Sequence, residues 1–371
     1  MGDKSLKVGA SEFRIRNVIF AVLAIIFLIS LLVPWPTLAA RETARRLACA
    51  SNMRRIVSAM ESYHGSHGSL PAGVSINGGS ALYPLLPFLE SKSMGEALSS
   101  VMLGETALLV DTISAEYLGL MEASSLPFVC SSDATGPRNG YRMTTSYHVC
   151  SGDRAEQPAE GGDGGDGGDV GENKPASVPR GTFGRMRWTQ FDEITDGLAN
   201  TATMTEVRIG APRSERHDKL DFSEFNGLFA DWGATPTSGI PRDCAANMVL
   251  ASRQGSLRGT LGGVLGAQWI GGRMVHTRFL TILPPNSPSC VQLDKTANGS
   301  TGGVSQLPIV SASSYHPGGV NVGLADGSVR FVADDIDCGD LTRNAVGPSA
   351  DGSDFGIWGE IGTMNTHVCF P

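Results

Sequence analysis

The sequence predicts an α+β protein: a long N-terminal helix, membrane-spanning in its first part, packed on a largely antiparallel, β-rich extracytoplasmic head. Three features carry that expectation. Val18 to Val33 form an uncharged apolar run, an amphipathic helical stripe continues beyond it, and after Phe128 short β-like runs alternate with Gly, Pro, Asn and Asp. The corresponding segments are a cytoplasmic N-terminus (1–16), a transmembrane anchor (17–35) and an extracytoplasmic domain (36–371).

Lys4, Lys7, Arg14 and Arg16 precede the apolar run and place the front end in the cytoplasm by the positive-inside rule. The expected location is the cytoplasmic (inner) membrane, single pass, with the lipid bilayer as the helix's partner. At about 1.5 Å per residue the run rises roughly 24 Å, and Ile15 and Trp35 extend it toward a hydrocarbon core of about 30 Å. Thr37 and Ala39 roughly match the small residues of a signal-peptidase site, with cutting after Ala39 or Ala40. Against cleavage stands the stripe Leu47, Ala50, Met53, Val57, Met60 and His64. Its spacings of three and four continue one helix, bent near Pro34 and Pro36, to about Tyr63. Gly65, Gly68 and Pro71 then end it.

Residues 81–90 and 94–122, rich in Leu and Ala, read as loop and short helices. Tyr141 to Val149, Gly181 to Trp188, Ala202 to Ile209 and Val304 to Val310 read as strands of an antiparallel sheet. The Gly/Asp insert 155–176 has too little apolar area to offset its ordering entropy and reads as a disordered loop. Its Gly-Asp repeats resemble calcium-binding turns only loosely, because the apolar residue such a repeat needs is absent. In NVGLADGSVRFV (321–332), Asp326-Gly327 suits a two-residue type I′ turn. That register pairs Leu324 with Val329 and Val322 with Phe331.

The chain of 371 residues is 41% hydrophobic and 18% charged, enough to bury a sizeable core. Half of the net charge of -8 comes from residues 151–180, and no run of Lys or Arg with interleaved aromatics offers a surface for nucleic acid. The seven cysteines show neither a CxxC pair nor zinc-like spacing, so no metal and no cofactor is expected. In an exported chain six of them pair, and the partition that joins sequence neighbours is Cys130–Cys150, Cys244–Cys290 and Cys338–Cys369; other connectivities remain open. His64 and His67 stand one turn apart but straddle Gly65, and Asp334, Asp335 and Asp337 read as an exposed acidic turn. Signatures of common hydrolases, nucleotide-binding loops and zinc proteases are absent, and no catalysis is expected.

Several blocks coincide with a known pattern. ARETARRLACASNMRRIVSAMESYH (40–64), ALYPLLPFLE (81–90), FVCSSD (128–133), FDEITDGLANTATMTE (191–206), LPPNSPSC (283–290), HPGGVNVGLADGSVRFV (316–332) and FGIWGEIGT (355–363) occur in order. In this the chain resembles the planctomycete-type family of secreted prepilin-like proteins called domain of unknown function 1559. The resemblance implies a type IV pilin-like helix feeding a β-rich extracytoplasmic domain. It also makes His316, Asp326 and Gly327 the family's motif of His, nine residues, Asp-Gly. SEFRIRNVIFAVL lacks the Gly and the Glu of a prepilin cleavage site.

The reading that follows is a membrane-anchored, pseudopilin-like structural or interaction protein of the cell envelope, with other envelope or pilin-like proteins as partners. The alternative is an extracytoplasmic solute- or carbohydrate-binding protein, for which Trp188, Trp232, Trp269 and Trp358 would supply stacking surfaces. A hydrolase would need a cleft holding His148, His276 or His316 beside a carboxylate or serine.

Overall fold

A computed structural model of the chain describes residues 16–28, 34–76, 78–89, 126–133, 143–155, 180–210, 229–231, 240–243, 265–266, 268–291, 293–295, 301–304, 308–346 and 352–366. The insert predicted at 155–176 lies outside them apart from Ala155, as do residues 94–122. The chain divides into two compact units, Met1–Leu47 and Ala48–Pro371.

In the first unit residues 16–28 form helix α1, with exposed apolar side chains. No helix among the described residues is long and apolar enough to cross a membrane. At about 1.5 Å per residue the described part of α1 rises about 20 Å, against about 30 Å for a bilayer core. The next helix, α2 (Pro34–His67), carries Arg41, Glu42, Arg45 and Arg46, which break any apolar window. The predicted single-pass anchor, the inner-membrane location and the pilin-like fold with a membrane-spanning first part are therefore corrected.

In the second unit α2 buries Cys49, Ala50, Met53, Ile56, Val57 and Met60, at helical spacing. Leu47, which the predicted stripe includes, is exposed. Burying side chains such as Met53, Ile56 and Val57 stabilises by about 1.5–3 kcal/mol each. The helix continues through Gly65 and stops where Gly68 takes a φ of 78° and its N–H donates to the His64 carbonyl. His64 stacks on Phe191 at 3.8 Å and accepts from its N–H, while His67 stacks on Tyr63.

The main sheet has five strands in the order β4-β1-β2-β8-β9, built from β1 (Tyr147–Cys150), β2 (Ala202–Glu206), β4 (Arg278–Phe279), β8 (Gly319–Leu324) and β9 (Val329–Ala333). It is mixed: β1 pairs parallel with β4, where an antiparallel sheet was expected, while its other three pairings are antiparallel. In two smaller sheets, β3 (Phe229–Asp231) pairs parallel with β5 (Ser289–Val291), and β6 (Leu293–Lys295) pairs antiparallel with β7 (Thr301–Val304). Of the predicted strands, Tyr141 to Val149 and Ala202 to Ile209 overlap β1 and β2; around Gly181 to Trp188 only an isolated bridge, Val74 to Arg185, forms.

Apolar clusters cover both sheet faces. One joins Met53, Ile56, Val57 and Met60 to Tyr147, Val149 and Met204. The other joins Ala202, Val320, Val322 and Leu324 to Phe279, Leu283, Trp358 and Ile361, the last two on helix α3 (Gly356–Ile361). Ala202 and Met204 enter different clusters because the β2–β8 register shifts between them, a bulge that reverses the alternation.

The β8–β9 hairpin is present one residue out of the predicted register. Val322 stands opposite Arg330, Asn321 opposite Phe331 and Gly323 opposite Val329. The loop is Ala325-Asp326-Gly327, with Leu324 N–H donating to the Ser328 carbonyl and Gly327, at a φ of 84°, taking the left-handed position. That is the three-residue hairpin in which glycine forms the bulge, in place of a type I′ turn. Asp326 Oδ1 favours it by accepting from both the N–H and the hydroxyl of Ser328.

Candidate functional site

The four chemistry-bearing residues that the fold brings together come from four distant segments. Cys49 lies on the buried face of α2, Cys130 in the loop 126–133, Glu206 at the end of β2, and His316 just before β8. All are between 0% and 4% exposed, and a ligand atom from each lies within 4.8 Å of the other three. Cys49 and Cys130 form a disulfide. His316 Nε2 is 3.3 Å from Glu206 Oε1 and 3.7 Å from Cys130 Sγ.

Local bonding fixes each member. Glu206 Oε1 accepts from Asn321 Nδ2 at 2.9 Å, and Oε2 accepts from the Asn321 N–H at 2.8 Å. These bonds compensate a carboxylate taken out of water. His316 N–H donates to Ser314 Oγ, whose hydroxyl donates to the Gly319 carbonyl, and Ser313 N–H donates to the Glu206 carbonyl. The Cys130 loop is held by Asp133, which accepts from the Ile209 N–H at 2.8 Å, and by Asn52 of α2, which donates to the Val129 carbonyl. Tyr147 hydroxyl donates to the Cys49 carbonyl at 3.0 Å. Burial first, then the Glu206 charge, pushes the Tyr147 phenol well above its ordinary range, so it stays a donor.

His316 belongs to this cluster, whereas Asp326 and Gly327 lie at the far end of β8 in the hairpin loop. Asp326 is exposed and spends its carboxylate on Ser328; a β-carbon on Gly327 would come within 2.7 Å of Glu61 Oε1. The histidine and the Asp-Gly pair therefore serve two places along α2.

The disulfides differ from the neighbour-joining partition. Cys130 is bonded to Cys49, which that partition leaves out, and Cys150 and Cys338 are free and buried. Burial pushes both free thiols up to about 12, which removes them as nucleophiles at neutral pH. Cys290 is disulfide-bonded, while Cys244 and Cys369 lie outside the described residues. Trp269 and Trp358 are buried, Trp188 is half exposed, and Trp232 lies outside the described residues, so no pair among them lines a described groove. His148 and His276 are buried, each with one ring nitrogen lacking a hydrogen-bond partner, and neither joins the His316 cluster. Asp334 accepts from Asn286 and Asp337 from the Gly339 N–H, as turn residues do.

Sequence reasoning missed Cys49, Glu206 and Asn321. Cys49 was legible in principle, one turn before Met53 on the buried helix face. Nothing local marks Glu206, whose partner Asn321 is 115 residues away.

A family model described as "Protein of unknown function (DUF1559)" matches residues 38–339, a span that contains all four residues of the cluster. No curated protein and no solved structure matches the chain.

Proposed function

The chain belongs to the DUF1559 family, and we propose that it is a non-catalytic structural or interaction protein of the cell envelope, working in an oxidising compartment. One observation carries the reading: the residues best suited to chemistry are closed from solvent and spend their bonds fixing α2 to the sheet. The Cys49–Cys130 disulfide joins helix to loop, and Glu206 joins β2 to β8 through Asn321. Disulfides of this kind persist where thiols are not kept reduced. Among the described residues, the exposed large apolar side chains of the head include Ile76, Met186 and Trp188. Met186 also holds a φ of 52°, a conformation that costs about 1–3 kcal/mol in a non-glycine residue and points to a constrained surface.

The test places a photoreactive residue at position 188 in the producing cell. A discrete protein adduct that Met186→Asp abolishes supports an interaction surface. Saturable quenching of Trp188 fluorescence by a small solute, with no protein adduct, would replace this reading with solute binding.

A further inference from the structure

We propose that Cys49, Cys130, Glu206 and His316 form a redox-gated site for one thiophilic divalent cation of the zinc class, shut while the cysteines are joined and opened by their reduction. The inference goes beyond a structural role for the head and stands on the geometry of the cluster alone.

Zinc takes thiolate, imidazole and carboxylate ligands in a tetrahedron, with bonds of about 2.3 Å to sulfur and about 2.0–2.1 Å to nitrogen or oxygen. Such a tetrahedron has edges of about 3.3 Å between N and O and about 3.6 Å between S and N. His316 Nε2 to Glu206 Oε1 is 3.3 Å, and Cys130 Sγ to His316 Nε2 is 3.7 Å. Two edges of the polyhedron are thus already in place. The two sulfurs, bonded to each other, must part to about 3.8 Å, the sulfur–sulfur edge of such a tetrahedron, and every other pair of ligand atoms already lies within 4.8 Å.

The surroundings supply what a metal site needs outside its ligands. Asn321 orients the Glu206 carboxylate with two N–H donors, and Ser314 fixes the backbone of His316. Tyr147 and Asn52 set the backbone at Cys49 and Val129. Partners of this sort change metal affinity by about 10–100-fold when removed. The cation also answers an electrostatic demand, since a carboxylate and two thiolates in one buried place need a compensating positive charge.

The chemistry balances. A dithiol or phosphine reductant supplies two electrons, the S–S bond breaks, and two thiols form as the reductant is oxidised. Binding the cation then releases both thiol protons. Reoxidation by a disulfide expels the cation and restores the S–S bond.

The experiment uses the full chain, reduced with a phosphine, desalted and titrated with zinc, and in parallel with cobalt(II) as a coloured stand-in. Expected are about one zinc equivalent and a thiolate-to-cobalt charge-transfer band in the reduced chain, with at least tenfold less of either in the oxidised chain. The double variant Cys49→Ser/Cys130→Ser keeps every other cysteine and should lose the band, while His316→Gln should weaken binding at least tenfold. A band that persists in the double variant assigns the metal to the remaining cysteines and overturns the proposal. So does a reduced chain with unchanged near-ultraviolet circular dichroism and no band, a comparison that requires no substitution.

Discussion

Gly323 faces Val57: a β-carbon on the glycine would come within 2.7 Å of Val57 Cγ2 and 3.0 Å of Met204 Cγ. The strand beneath α2 thus lacks a side chain at the point of closest approach, which lets helix and sheet pack backbone to side chain. Gly323→Ala should destabilise the head by about 1–3 kcal/mol, the usual cost of overpacking. Val57→Ala in the same chain should recover part of the loss. Urea midpoints of the two single variants and the double variant measure the coupling, and strict additivity would refute the contact as the cause.

Asn321→Ala removes the side-chain donor to Glu206 Oε1 but keeps the backbone donor to Oε2. A hydrogen bond to a charged, buried acceptor is worth about 1.5–3 kcal/mol, so a loss of that size is expected in chemical denaturation. A loss under about 0.5 kcal/mol would show that water or His316 takes over the vacated lone pair.

The Cys49–Cys130 disulfide closes a sequence separation of 81 residues. Chain entropy for a loop of that size predicts about 4.5 kcal/mol of stabilisation, acting on the unfolded chain. Cys49→Ser/Cys130→Ser should lower stability by that order, and reduction of the wild type should not exceed it by more than the contribution of the Cys290 disulfide. Equal stability of oxidised wild type and double variant in urea would remove the clamp from the account.

What the sequence revealed followed from local periodicity, and what it hid depended on distant or one-residue choices. The buried face of α2 was visible as Met53, Val57 and Met60 at helical spacing, and the hairpin around Asp326-Gly327 as apolar alternation about a turn. Its register was not. Two- and three-residue loops both accept Gly327 at positive φ, and the choice rests on Asp326 accepting from Ser328. Slipping by one places Phe331 at the surface, where it lies over Gly319, instead of opposite Val322. The predicted anchor is not matched by any helix among the described residues that is long and apolar enough to cross a membrane, and an apolar run signals a span only with such length. The cluster at His316 stayed hidden since Cys49, Cys130 and Glu206 come from segments far apart in the sequence.

The hairpin choice can be tested directly. Asp326→Ala removes both acceptor bonds to Ser328 and should cost about 1 kcal/mol, as loss of a turn-capping side chain does. Gly327→Ala should cost more, because a β-carbon at a φ of 84° is strained and also meets Glu61. Glu61→Ala should relieve only the second part. Thermal midpoints that rank Asp326→Ala below Gly327→Ala in stability would contradict this division.

His148 and His276 set the response to acid. Burial first, against a hydrogen bond with the Arg278 carbonyl, lowers His148 to about 4, and burial with the charge of Arg273 lowers His276 to about 3. The unfolded chain protonates both near pH 6.5, while the folded chain refuses those protons, so the unfolded state binds more of them as pH falls. Stability is therefore full above about pH 6.5 and declines toward pH 4, by about 1.4 kcal/mol per pH unit for each imidazole. Asp153, whose carboxyl burial raises, acts with the opposite sign, because as pH falls its folded form takes up a proton before the unfolded one does. His148→Gln keeps a donor for the Arg278 carbonyl and loses the titration. Urea unfolding between about pH 7 and pH 4.5 should show a flatter decline for this variant by the share of one imidazole. Identical slopes in the two chains would mean that His148 gains its proton without unfolding, through an opening of the core around β1 and β4.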